Sequence, residues 1–213
     1  MESVNTKNGR HRKFRRSKRH TPDEARRAIK DSARRFLLDR PFRDLTVAEL
    51  MAGTPLSRPA FYQYFKDLHH LILSLLEEIE TVMHQTANPW LAGEGEPIAA
   101  LRESLRGVVE TCFAHGPVIR AVSEAAPLDD KLERAWNEFM GRWDDAVEAR
   151  ILVQQEEGLI PAFDARRMAV ALNRMDAAVM IAEFGKHSKG NAVEVLATEH
   201  RIWVGALYGV QVP

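Results

Sequence analysis

The stretch Ser57-Arg58-Pro59-Ala60-Phe61-Tyr62-Gln63-Tyr64-Phe65 limits the fold more than any other part of this 213-residue chain. Ser57 suits a helix N-cap, where its hydroxyl accepts from an orphan amide of the first turn. Pro59 falls in that turn, where a missing N–H costs little. Phe61 and Phe65 stand four apart, so a helix turns both rings to one face and buries them together. Tyr62, Gln63 and Tyr64 then point elsewhere and offer hydrogen-bonding tips. The preceding residues supply a partner. Thr46-Val47-Ala48-Glu49 has the spacing of a capping box and opens a short helix that stops at Gly53. Thr54-Pro55-Leu56 makes a tight turn into Ser57. Helix, turn and second helix in this order predict a helix-turn-helix, whose second helix enters the DNA major groove.

Helical periodicity governs the rest. A second capping box, Thr21-Pro22-Asp23-Glu24, opens a helix whose stripe is Ala25, Ile29, Ala33 and Phe36/Leu37, and Pro41 ends it near Asp39. Phe42 and Leu45 plug the core of a three-helix unit. A long helix begins near Asp67. Residues 87–96 break the pattern and read as a loop. Periodicity resumes at Pro97 and runs to His115, where Gly116-Pro117 stops it, and a shorter helix follows to about Ala126-Pro127. A long helix spans Asp129 to Gly158, Asp164 caps another to about Ser188, and Gly190-Asn191 leads into the last. Alternating Val/Ile/Thr runs and Asn-Gly turns are missing, so no sheet is expected. The fold class is all-α with about nine helices. It divides into a basic arm at 1–20, a helix-turn-helix domain at 21–66 and a helical body at 67–213.

Charge supports that division. Net charge is zero, but residues 1–66 hold 17 Lys and Arg against 7 Asp and Glu, and residues 67–213 hold 13 against 23. A basic head on an acidic body suits a polyanion at one end only. Eight of the basic residues lie in the first twenty positions beside one acid, Glu2. Such a run is expected to be disordered when free. It reads as an arm for phosphates or a minor groove, or else as a solubilising tail.

These features together resemble the TetR family of bacterial repressors. The residues that carry the likeness are Leu45-Thr46-Val47-Ala48-Glu49-Leu50 and Leu56-Ser57-Arg58-Pro59-Ala60-Phe61-Tyr62-Gln63-Tyr64-Phe65. The resemblance implies a DNA-reading surface of Ser57, Arg58, Pro59, Ala60 and Gln63, with Thr46, Tyr62, Tyr64 and Lys66 on phosphates. Leu68 stands where the family usually has a phosphate-binding Lys, and Lys66 serves instead. The family also dimerises through its final helices. Met168, Leu172, Met175 and Val179, with Ala171, Ala178 and Ala182 on another face, fit that role or else pack inside the monomer.

Within the family, Phe139-Met140-Gly141-Arg142-Trp143, Ala171-Leu172-Asn173 and Ile202-Trp203-Val204 resemble the branch of mycobacterial ethionamide-resistance repressors. The resemblance implies an apolar effector tunnel lined by Trp136, Met140, Trp143, Asn173, Asp176 and Trp203, with an Asn amide as polar anchor. Large rings at one-turn spacing also fill ordinary cores, and an Asn on an apolar face can bond a neighbour instead. Gly141, in mid-helix, suggests close approach of a ligand or another helix.

Catalytic signatures are missing: no His-Glu-x-x-His, Gly-rich phosphate loop or Gly-x-Ser-x-Gly. His69 and His70 are adjacent and share no helical face. Glu183 and His187 are two possible ligands without a third. No cofactor or metal is expected. Cys112 is the only cysteine and reads as a buried small hydrophobe, in keeping with a reducing cytoplasm. No run of 18 apolar residues is present, and the basic N-terminus has no apolar stretch behind it to make a signal peptide. The expected protein is not an enzyme. It is a cytoplasmic, homodimeric repressor that binds a palindromic double-stranded operator and is released by a small apolar effector, with no membrane partner. The alternative is a helical interaction module whose basic tail binds nucleic acid nonspecifically.

Overall fold

The computed structural model describes residues 21–209, so the basic arm at 1–20 lies outside the described residues. Among these residues there are eight α-helices and no strand. The head holds α1 (Pro22–Asp39), α2 (Val47–Ala52) and α3 (Phe61–Tyr64). The body holds α4 (Leu68–Leu91), α5 (Pro97–Ala125), α6 (Asp130–Glu156), α7 (Ala165–Phe184) and α8 (Ala192–Tyr208).

Most boundaries follow from caps. Thr21 and Glu24 form the complete reciprocal box at α1. Asp67, Asp129, Asp164 and Asn191 accept first-turn amides of α4, α6, α7 and α8. Thr46 accepts from the Glu49 amide at α2, but the Glu49 carboxylate does not close the box. It takes the Thr46 hydroxyl and Arg40 instead. Ser57 has the extended N-cap backbone without a side-chain bond, and Arg58–Ala60 form a 3-10 turn ahead of α3.

Two breaks expected from proline are absent. Residues 87–91 continue α4 through Pro89, and only 92–96 form the loop. Ser104 of α5 makes this possible: its hydroxyl accepts from the Trp90 amide at 2.9 Å and donates to the Ala87 carbonyl at 2.8 Å. It thereby satisfies groups near the proline, where the helix ladder is interrupted. Gly116-Pro117 likewise does not end α5, which runs unbroken to Ala125. Gly116 is required by packing, because a Cβ there would collide with the Phe184 carbonyl at the end of α7.

One apolar core runs through both head and body. It includes Ile29, Leu37, Phe61 and Phe65 from the head and Leu71, Ile79, Val109 and Phe184 from the body. A second cluster joins Trp90, Leu101, Ile151, Leu172 and Leu207 at the far end. Polar links tie the head to the body as well. Lys30 and Arg34 of α1 bond Glu78 of α4 at 2.6 and 2.8 Å. Arg120 of α5 donates to the Leu37 carbonyl at 2.8 Å, and within the body His69 of α4 meets Asp129 at the start of α6 at 2.6 Å.

Candidate nucleic-acid interface and candidate ligand cavity

The second helix of the head and the turn after it are fastened to α1. Ser32 of α1 donates to the Leu50 carbonyl at 2.6 Å, and Arg35 donates to the Gly53 carbonyl at 2.9 Å. A Cβ on Gly53 would strike the Ser32 hydroxyl, so the turn between α2 and α3 lies directly on α1. Thr54 tightens the turn, donating to the Met51 carbonyl and accepting from the Leu56 amide. Phe61 and Phe65 are buried as the spacing predicts. Tyr62 between them is 60% exposed.

Thr46, Ser57, Arg58, Pro59, Tyr62, Gln63 and Lys66 are exposed. Ala60 and Tyr64 are half-buried and pack on the core. Tyr64 also lies beneath the Arg26 guanidinium, 6.0 Å from its ring centroid. The Thr46 hydroxyl is engaged at the α2 cap by Glu49. Arg26, Arg27, Arg35 and Arg43 are exposed in the same domain. The sequence does not single them out: Arg26, Arg27 and Arg35 are spaced as a solvated helical face, and Arg43 lies in the turn after α1.

The body encloses a cavity walled by α4, α5, α6, α7 and α8. Its atom-free space is about 720 Å³, open solvent at the mouth included. Trp136, Met140, Trp143, Asn173, Asp176 and Trp203 all line it. So do Met83, Trp90, Ser104 and Ala177, which the sequence did not single out. Trp90 was hidden by the false loop at Pro89. Cys112 lines the wall too, and burial pushes its thiol up to about 12, so it is a neutral small hydrophobe. Gly141 does not line the cavity, and nothing approaches its Cβ position within 4 Å, so its close-approach reading fails within the chain.

The polar atoms of the wall are unevenly satisfied. Asn173 donates from Nδ2 to Asp144 at 3.0 Å, so it does bond a neighbour, and Arg174 holds the same carboxylate. The Trp143 indole N–H is buried without an acceptor, while its ring stacks on His84 with centroids 4.2 Å apart. Trp203 donates to Asp176 at 3.0 Å and meets Trp90 edge-on. Burial, then the neighbouring Glu199, raises the Asp176 carboxyl well above its ordinary range. Among the described residues no group of three or more His, Cys, Asp or Glu is arranged to hold a metal, Glu183 and His187 included.

Residues 101–209 match the family model described as the C-terminal domain of the transcriptional regulator EthR. The chain is 31% identical over 201 residues to the HTH-type transcriptional regulator EthR of Mycolicibacterium smegmatis, covering 92% of this chain and 91% of that protein. It belongs to the TetR family, in its EthR branch. The EthR of Mycobacterium tuberculosis strain H37Rv is also 31% identical, over 202 residues, with 92% of each chain covered. Solved TetR-family structures share the fold. PfmR from Thermus thermophilus superposes with a TM-score of 0.70 at 16% identity, covering 86% of this chain and 99% of that one. AibR, solved with isovaleryl coenzyme A and operator DNA, gives 0.66 at 17% identity, covering 87% and 98%. This EthR-like protein is therefore a DNA-binding transcriptional regulator rather than an enzyme. Among the described residues no helix is long and apolar enough to cross a membrane.

Proposed function

We propose that this regulator is a cytoplasmic homodimeric repressor that reads a palindromic operator through Ser57–Lys66 and releases it when a small apolar molecule fills the body cavity. The observation that carries the reading is the double role of α4. Its N-terminus follows the recognition segment directly, and Met83, Ala87 and Trp90 near its other end line the cavity. A ligand that fits better when α4 is displaced also displaces the head. Only such differential affinity shifts a two-state equilibrium. A 100-fold preference for the displaced state weakens DNA binding by up to ~2.7 kcal/mol. The buried Trp143 N–H, still without an acceptor, suits a ligand carbonyl or ether oxygen.

The dimer reading rests on small and apolar groups left exposed on the last helices: Ala171, Ala178 and Ala182 on α7, Ile202 and Gly205 on α8. The Cβ position of Gly205 faces open space in the single chain, which leaves room for a helix of a second copy. Leu172, Trp203 and Leu207 are buried inside the protomer, so only part of the expected apolar surface is available for pairing.

Filling the cavity from its wall tests the reading. Ala177 lines it, so Ala177→Trp places an indole in the ligand's space. In the wild type, 1-octanol is expected to change indole fluorescence and to weaken binding to the selected operator in parallel. In the variant both responses should vanish while DNA binding persists. A variant that still responds to 1-octanol, or occupancy that leaves DNA affinity unchanged, contradicts the reading.

A further inference from the structure

We infer that the molecule taken by this cavity carries an ammonium group on an apolar body, and that Asp176, backed by the buried Glu199, receives that group. The inference deepens the cavity reading and rests on it. Asp176, on α7, lines the cavity and keeps part of its surface accessible there. Glu199, on α8, is fully buried, and both of its carboxylate oxygens are without a hydrogen-bond donor. The two carboxyl groups lie within hydrogen-bonding reach of each other. Two acids in one apolar site are costly unless a proton or a cation stands between them.

No protein cation does so among the described residues. Neither acid takes part in an ion pair with Lys, Arg or His. Arg174, two residues from Asp176, is committed to Asp144. The other groups that face Asp176 are the Trp203 indole N–H from α8 and the neutral Cys112 thiol from α5. Asp144 of α6 faces Asn173 instead. Burial and the neighbouring acid raise the affinity of Asp176 for a proton, which takes the place of a cation at this carboxyl.

An ammonium fits this position better than a proton does. It is a charged donor with several hydrogens, so it can form a charge-assisted bond to Asp176 and offset the second acid behind it. Two indoles of the wall stand on this side of the cavity: Trp203 is bonded to Asp176, and Trp90 lies 5.7 Å from Trp203, centroid to centroid. Indole rings favour a nearby cation over an anion. Binding moves the proton of Asp176 to solvent and leaves its carboxylate against the ammonium. A carboxylate ligand would add a third negative group, and a plain alcohol would leave that proton in place.

The experiment compares three probes of one chain length on the full chain near neutral pH: octylamine, 1-octanol and octanoate. Indole fluorescence and calorimetry report binding, and calorimetry in two buffers of different ionisation heat reports proton release. The wild type is expected to bind octylamine about tenfold or more tightly than 1-octanol, with proton release. Glu199→Gln should reduce that preference and the proton release while 1-octanol binding stays within about threefold, and Asp176→Asn should abolish the preference. Equal affinity for octylamine and 1-octanol overturns the inference and leaves the cavity reading standing. Tighter binding of octanoate overturns it too. If none of the three probes binds, the cavity reading falls with it. The wild-type comparison decides the matter even if a variant folds poorly.

Discussion

Tyr62 exposes 60% of its surface beside Phe61, which exposes none, and that contrast within one helical turn decides what each ring does. Phe61 holds the recognition helix down, and Tyr62 is free to meet the duplex. Tyr62→Phe keeps the ring and removes only the hydroxyl. It should weaken operator binding by ~1 kcal/mol at every site while leaving base preference intact, as removal of a phosphate contact does. Competition binding against base-substituted operators measures both quantities at once. Asp176 carries a second prediction at this scale. Burial, then Glu199, raises its carboxyl in the folded state, so the native protein binds a proton that the unfolded chain gives up. The contribution of Asp176 is therefore fully present below the ordinary Asp range and declines as pH rises through its folded-state value. Asp176→Asn should flatten this decline, raising Tm relative to wild type at pH 8 more than at pH 5 in thermal melts across that range. Part of this site was legible in the sequence: large rings at one-turn spacing and a polar Asn on an apolar face flagged the α6 and α7 walls. Glu199 was overlooked, although an acid inside the ladder Val195, Glu199, Trp203 and Leu207 is the kind of conflict that marks a site.

The elements themselves were legible wherever a cap or a periodic stripe set them. Thr21, Asp67, Asp164 and Asn191 each stand one residue before the helix they begin. The misreadings came where a side chain distant in sequence rewrote a local rule. Pro89 breaks a ladder in isolation, but Ser104 arrives from α5 to bond both sides of the gap. Gly116-Pro117 looks like a stop, but Gly116 is there because the end of α7 presses on it. No local window contains either partner. Ser104→Ala strands a buried amide and a buried carbonyl near Pro89. It should cost ~1–3 kcal/mol in denaturant unfolding and loosen the last turn of α4, visible as faster amide exchange from Trp90 onward. Because Trp90 and Ser104 both line the cavity, the same change should weaken 1-octanol binding.

At the scale of the whole molecule, the head and body share one core, and Glu78 and Arg120 add polar links across the junction. Under the proposed mechanism, such a junction would carry a displacement of α4 from the cavity to Ser57–Lys66 without a separate hinge. The excess of 17 basic over 7 acidic residues in the first 66 gives the head its attraction to DNA. Deleting residues 1–20 removes eight of those basic residues. It should flatten the log–log salt dependence of operator affinity by about 0.9 for each phosphate no longer neutralised, and leave the half-site spacing unchanged. Most direct for the central claim is selection of the full chain's binding sites from random double-stranded DNA. The expected result is a palindromic consensus whose half-sites lie about one helical turn, ~34 Å, apart or a multiple of it. That consensus should be altered by Gln63→Ala and kept by Tyr62→Phe. Enrichment without any consensus, with affinity that follows only salt and length, would contradict it and leave a helical module with a nonspecific basic tail.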